Sequence, residues 1–328
     1  MTKAIYRPIL KNAWKITWHH KRLWMLGIFA GLLNTGSVLN VLIGAFKRPS
    51  APPANHILEW LFRESVPGVK TLTLLIQKTI LVSQDRLVWL LCLLTIVLFI
   101  LLYLATSGQD ALIRILSKTK MTEKTGIREL FRHGHEILWH LFTVNILGKL
   151  ALSALLAGST LLFVNLASEQ LLLNLLGNVA VLLFFIPLVL LVGGISMLAI
   201  IETSTRETPV FKSIKTSAQM TWKHFLPITE MIILLFLINL GFSIIAVIAL
   251  LLASVPYLIL TASILVIHSG ALWIGAMLAG AVILFVIILS FFGFATVFTY
   301  ATWIELYKRM QQKNGILSKV ERLIKHFR

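Results

Sequence analysis

The sequence predicts an all-α, polytopic membrane protein with six transmembrane helices, and three observations carry that expectation. Of 328 residues, 58% are hydrophobic and 13% charged, whereas soluble domains carry roughly 45–50% apolar and ~25% charged residues. That excess is too large for one water-soluble core, so lipid must cover it. Six stretches reach the ~20 apolar residues needed to cross the hydrocarbon: Leu23–Phe46, Leu87–Ser107, Leu141–Ala167, Leu171–Ile201, Phe225–Ala253 and Ala271–Tyr300. Basic residues crowd beside alternate stretches, which sets an orientation.

The first stretch follows the basic segment 1–22. It is too long for the apolar core of a signal peptide and lacks a small-x-small cleavage site, so it reads as a retained helix. Residues 47–86 form an extracytoplasmic loop. Pro49, Pro52 and Pro53 mark a turn there, and Ile57, Leu58, Leu61, Phe62, Val69, Leu72, Ile76 and Ile80 recur at helical spacing. One or two amphipathic helices on the outer surface are expected. The shorter apolar stretch Val255–His268, with Pro256 at its start, reads as an interfacial or re-entrant piece rather than part of the fifth span.

Orientation follows from Lys and Arg. They occur in segment 1–22, between the second and third spans (Arg114 to Arg132), between the fourth and fifth (Arg206, Lys212, Lys215, Lys223) and in the tail 305–328. The third and fifth connections carry none. The first loop holds Lys47, Arg48, Arg63, Lys70, Lys78 and Arg86, spread over a segment too long to weigh heavily. Both termini are therefore expected on the cytoplasmic side of a bacterial inner membrane.

A phrase recurs ahead of the odd-numbered spans. Leu10-Lys11 precedes Trp18-His19-His20, Phe131-Arg132 precedes Trp139-His140, and Ile214-Lys215 precedes Trp222-Lys223-His224. In each, an apolar residue and a base stand eight and seven positions before a tryptophan. The pattern suggests three units, each an amphipathic cytoplasmic helix followed by a transmembrane hairpin. In the first, Lys3, Arg7, Lys11 and Lys15 form a basic stripe, Ile5, Ile9, Ala13 and Ile16 an apolar one, with Trp14 and Trp18 at the edge. Such a helix lies in the interface, apolar side down, its bases meeting anionic headgroups. Tryptophan suits that depth because its ring is apolar and its N–H stays wet. Ile127, Leu130, Phe131, Ile137 and Leu138 draw the stripe in the second unit, and Val210, Phe211, Ile214 and Ala218 in the third. Ile316, Val320, Leu323, Ile324 and Phe327 repeat the theme in the tail. The expected lipid contacts are thus Lys3, Arg7, Lys11, Lys15, Trp14, Trp18, Trp139 and Trp222.

With Ala111-Leu112-Ile113-Arg114 after the second span, Ile201-Glu202, and Phe211-Lys212-Ser213-Ile214-Lys215-Thr216-Ser217 through Trp222 before the fifth, the chain resembles a group of bacterial six-helix proteins related to the glycerophosphodiester phosphodiesterase membrane domain. The resemblance implies a fold and an envelope location. In the namesake enzymes the hydrolase is a separate soluble barrel, for which this chain has no room, so the resemblance carries no catalytic residue across.

Among candidate site residues, Lys149 and Glu230 stand out, because an ionisable group inside a span costs about 2.5–3.5 kcal/mol on insertion scales. Lys149 lies ten residues after Trp139 and Glu230 eight after Trp222, which puts them at similar depth. An ion pair between units would offset much of the penalty; the plainer reading has Lys149 snorkelling and Glu230 in a wet helix start after Pro227. Asn34, Asn40, Asn145, Asn174, Asn178 and Asn239 fall in spans, where amides usually bond to neighbouring helices. Gly27 with Gly31, and Ala271 with Gly275, have small-xxx-small spacing and read as packing positions. Pro187 and Gly193-Gly194 suggest a packed kink. His133, Glu136 and His140 share a helical face that can hold a metal, but a solvated polar face is the better reading.

No GxxxxGK[ST], HExxH or GxSxG occurs, and no carboxylate pair suggests acid–base chemistry. The single cysteine, Cys92, excludes an intrachain disulfide. The net charge of +17 sits in short runs beside apolar stretches, so it points to anionic lipid and not to nucleic acid. The sequence reads as a non-catalytic envelope scaffold, sensor or membrane subunit with no metal or cofactor. The alternative is a transporter or lipid-handling protein with a cavity between its units.

Overall fold

A computed structural model describes residues 6–34, 84–118, 135–165, 171–267 and 270–311. All regular structure among them is α-helical: α1 (Tyr6–His19), α2 (Arg22–Asn34), α3 (Gln84–Ser117), α4 (His135–Asn165), α5 (Leu171–Arg206), α6 (Val210–Lys223), α7 (Phe225–Ile267) and α8 (Gly270–Met310). Five of these, α3, α4, α5, α7 and α8, are long and apolar enough to cross a membrane. Of the first expected span, the thirteen-residue α2 is described. Residues 35–83, with the amphipathic helices expected there, residues 119–134 and the tail from 312 lie outside the described residues.

The long helices extend past the apolar stretches that announce them. α3 runs ten residues beyond Ser107 and α8 ten beyond Tyr300. Hydropathy registers the hydrocarbon-facing part, but each helix continues because its end packs on protein: Ala111, Leu112, Ile113, Ile304 and Leu306 are all buried. α7 corrects the expectation for Val255–His268. It is one helix of 43 residues that passes through Pro256 without ending, about 65 Å at 1.5 Å per residue. α5 likewise runs unbroken through Pro187 and Gly193-Gly194.

The described residues fall into two compact units. The first contains α1, α2, the end of α3 from Gly108, α7 from Leu226, and α8. Here α7 and α8 run antiparallel, with Asn239 bonded to Thr299 (3.4 Å) near one end and Gly280 against Tyr257 near the other. α2 lies so close to α8 that a Cβ on Gly27 would stand 2.5 Å from the Gly293 carbonyl oxygen, and one on Gly31 would press on the Phe292 ring. The Gly27/Gly31 pair is thus a packing position within the chain. Gly275 has nothing within 4 Å of a built Cβ.

The second unit contains α3 up to Ser107, α4, α5 and α6. α4 and α5 are antiparallel, Gly148 lying against Ser196 and Gly158 against Phe185, with Leu152, Leu156 and Val189 as their buried seam. Outside such seams the spans expose apolar side chains in bulk, including Leu93, Ile96 and Phe99 of α3 and Val282, Ile283 and Phe285 of α8. That is how a span meets lipid once its backbone groups are satisfied internally.

Candidate functional site

In each unit a short helix packs on a long one: α1 on α8 in the first, α6 on α5 in the second. α1 is described from Tyr6 to His19 and includes Pro8. It packs on α8 and buries Ile9, Ala13 and Thr17. Thr17 folds its hydroxyl back to the Ala13 carbonyl (2.8 Å). Asn12 Nδ2 donates to Glu305 Oε1 (3.4 Å), and Arg309 Nη2 stands 3.7 Å from the same oxygen. Tyr6 donates its hydroxyl to the Glu230 carboxylate of α7. Along the other edge Trp14 stacks on Trp18 (centroids 5.9 Å), and Phe294 meets both edge-on at 5.4 and 6.2 Å. Such pairs add about 0.5–1.5 kcal/mol beyond area burial. The elbow into α2 is fixed by Trp24 Nε1 donating to the Thr17 carbonyl (2.9 Å).

α6 packs on α5 and buries Ser213, Ser217 and Thr221. Ser213 is the hub: its Oγ accepts from Thr203 Oγ1 (2.9 Å), lies 2.7 Å from Thr208 Oγ1 and reaches the Pro209 carbonyl at 3.1 Å. The connection includes Glu207 at φ 53°, the left-handed conformation that commonly ends helices and favours glycine.

This geometry corrects the expected apolar stripes. In α1, Ile9 and Ala13 face protein, not lipid, while Arg7, Lys11 and Lys15 are exposed and Trp14 and Trp18 half-exposed. In α6 the buried face consists of small hydroxyl residues outside the Val210–Ala218 stripe. Phe211 and Trp222 turn outward, 84% and 78% exposed, beside exposed Lys212, Lys215 and Lys223. Trp139 is also exposed, edge-on to Phe142. Lys3 lies outside the described residues.

The sequence reading passed over one feature, an acid followed four residues later by arginine at the end of α3, α5 and α8. Asp110–Arg114 close at 2.9 Å, Glu202–Arg206 at 3.3 Å and Glu305–Arg309 at 3.7 Å. Asp110 and Glu202 are buried. The signal was present as Ile201-Glu202-x3-Arg206 and Ile304-Glu305-x3-Arg309; comparing the far ends of the spans, rather than their beginnings, finds it. The ends of α3 and α8 are also linked directly. Gln109 Nε2 donates to the buried Tyr300 hydroxyl at 2.6 Å, and Lys308 Nζ to the Leu116 carbonyl at 3.1 Å.

Glu230 belongs to the first unit and Lys149, half-buried, to the second. Asn145 is buried and donates to the Leu141 carbonyl (2.9 Å); Asn239 bonds across to Thr299. The side chains of Asn34, Asn174 and Asn178, and all of Asn40, lie outside the description. So do His133 and the side chain of Glu136, while His140 is exposed. Among the described residues no group of His, Cys, Asp and Glu is arranged to hold a metal.

Comparison with protein-family models, with curated proteins and with solved structures finds no match for this chain.

Proposed function

We propose that this chain is a non-catalytic protein of a bacterial inner membrane, with both termini cytoplasmic, whose interfacial helices hold a fixed basic and aromatic surface against anionic headgroups. Its role is that of an envelope scaffold, sensor or membrane subunit, built from three hairpin units like the six-helix proteins it resembles. One observation carries this reading. α1 and α6 are seated on α8 and α5 by the faces Ile9-Ala13-Thr17 and Ser213-Ser217-Thr221, so Lys11, Lys15, Lys212, Lys215, Phe211 and Trp222 point outward in a set attitude, with Trp14 and Trp18 half-exposed at the edge of α1. A basic helix held this way gains about 1 kcal/mol per base near an anionic surface, and its tryptophans suit the interface.

The alternative, a transporter or lipid-handling protein, is favoured by Glu230, a carboxylate within a candidate span that takes a hydrogen bond from Tyr6. Reconstitution into sealed liposomes separates the two. The scaffold reading expects no ion or proton flux above empty vesicles, and extracted lipid enriched in anionic species. Flux abolished by Glu230→Gln would replace it with the transporter reading.

A further inference from the structure

The two seated helices share a register that their chain order does not explain. Moved back 204 positions, so that Trp222 falls on Trp18, the buried residues Ser213, Ser217 and Thr221 fall on Ile9, Ala13 and Thr17, the residues α1 buries. Moved forward 103 positions, Ile201-Glu202 and Arg206 fall on Ile304-Glu305 and Arg309. The two shifts come from different helices and were fixed by different residues. Together they map the hydrogen-bonded pair Ser213–Thr203 onto Ile9 and Leu306, which are both wholly buried. The bond from Asn12 to Glu305 lies three residues from Ile9 on α1 and one residue from Leu306 on α8, so it brings the same two helix ends together.

We infer that the ends of α5 and α8 carry the same docking surface. It takes an amphipathic basic helix whose buried residues stand at every fourth position, in a register set by the helix-ending Ile-Glu-x3-Arg. On α5 the occupant is the next helix in the chain. On α8 it is α1, from the opposite end of the sequence, so the N-terminal helix belongs architecturally to the last span. Two features separate this from ordinary packing of amphipathic helices. The buried positions stand nine, five and one residues before a tryptophan in both occupants, and the acid–arginine pair stands at the same place in both seats. The inference rests on burial and register and holds whether or not the outward faces select anionic lipid.

Cysteine chemistry on the full chain in membranes tests it, in a Cys92→Ser background. Ile9→Cys with Leu306→Cys should form a disulfide under mild oxidation to an extent comparable with Ser213→Cys and Thr203→Cys, while Lys11→Cys with Leu306→Cys should not. In a second measurement the seats are blocked singly. Leu306→Arg should raise the maleimide labelling rate of a cysteine at position 13 several-fold and leave one at position 217 protected; Thr203→Arg should do the reverse. Failure of the 9–306 pair to cross-link where 203–213 does overturns the equivalence. So does a blocked seat that exposes both cysteines or neither.

Discussion

Gly27 and Gly293 meet backbone to backbone: a Cβ on Gly27 would stand 2.5 Å from the Gly293 carbonyl oxygen, and a Cβ on Gly293 2.5 Å from that of Trp24. α2 is also held from another side, because Gly108 of α3 lies against Phe29, and α8 carries α1. Gly27→Ala and Gly293→Ala should each destabilise the folded protein in detergent by about 1–3 kcal/mol, the range for overpacking a tight site. Gly241→Ala and Gly275→Ala, which meet nothing within 4 Å, should be close to neutral. Thermal unfolding of the four variants checks the contrast.

Tyr6 and Glu230 are joined by a hydrogen bond from α1 to α7. Bonds to charged groups contribute about 1.5–3 kcal/mol when partly buried. Tyr6→Phe should therefore lower the unfolding temperature and loosen α1, read as faster proteolysis near residue 20. A Tyr6→Phe protein as stable and as protease-resistant as the parent would show that the bond holds nothing.

Glu207 sits at φ 53° between α5 and α6, where an L side chain is strained by about 1–2 kcal/mol. Glu207→Gly should relieve part of that strain and raise the unfolding temperature. A lower temperature would mean that the glutamate side chain's own interactions outweigh the backbone cost.

The sequence made the hydrocarbon-spanning parts legible and hid the surfaces that organise them. Runs such as Leu171–Ile201 and Ala271–Tyr300 foretold α5 and α8, since lipid leaves no other home for twenty apolar residues. Two of the three tryptophan-marked phrases fall in the short helices α1 and α6, while the third ends inside the long α4 and begins outside the described residues. What hydropathy missed was the buried face of α6, because Ser213, Ser217 and Thr221 read as polar and yet pack by being small. It also stopped α7 at Ala253 on the strength of Pro256, although in lipid the neighbouring structure tolerates a helix-internal proline. The contacts of Tyr6 and Asn12 join residues more than two hundred positions apart, which no local period reveals.

The central claim, that seated basic helices select anionic headgroups, is tested most directly by tryptophan fluorescence quenching with brominated lipids in vesicles. The measurement compares quenching by brominated anionic lipid with that by brominated zwitterionic lipid at equal mole fraction. The account expects stronger quenching by the anionic lipid. It also expects Lys11→Gln, Lys15→Gln, Lys212→Gln and Lys215→Gln together to abolish the preference, since each base contributes about 1 kcal/mol near the surface. Equal quenching by the two lipids in the parent protein, or a preference that survives loss of all four lysines, would contradict it.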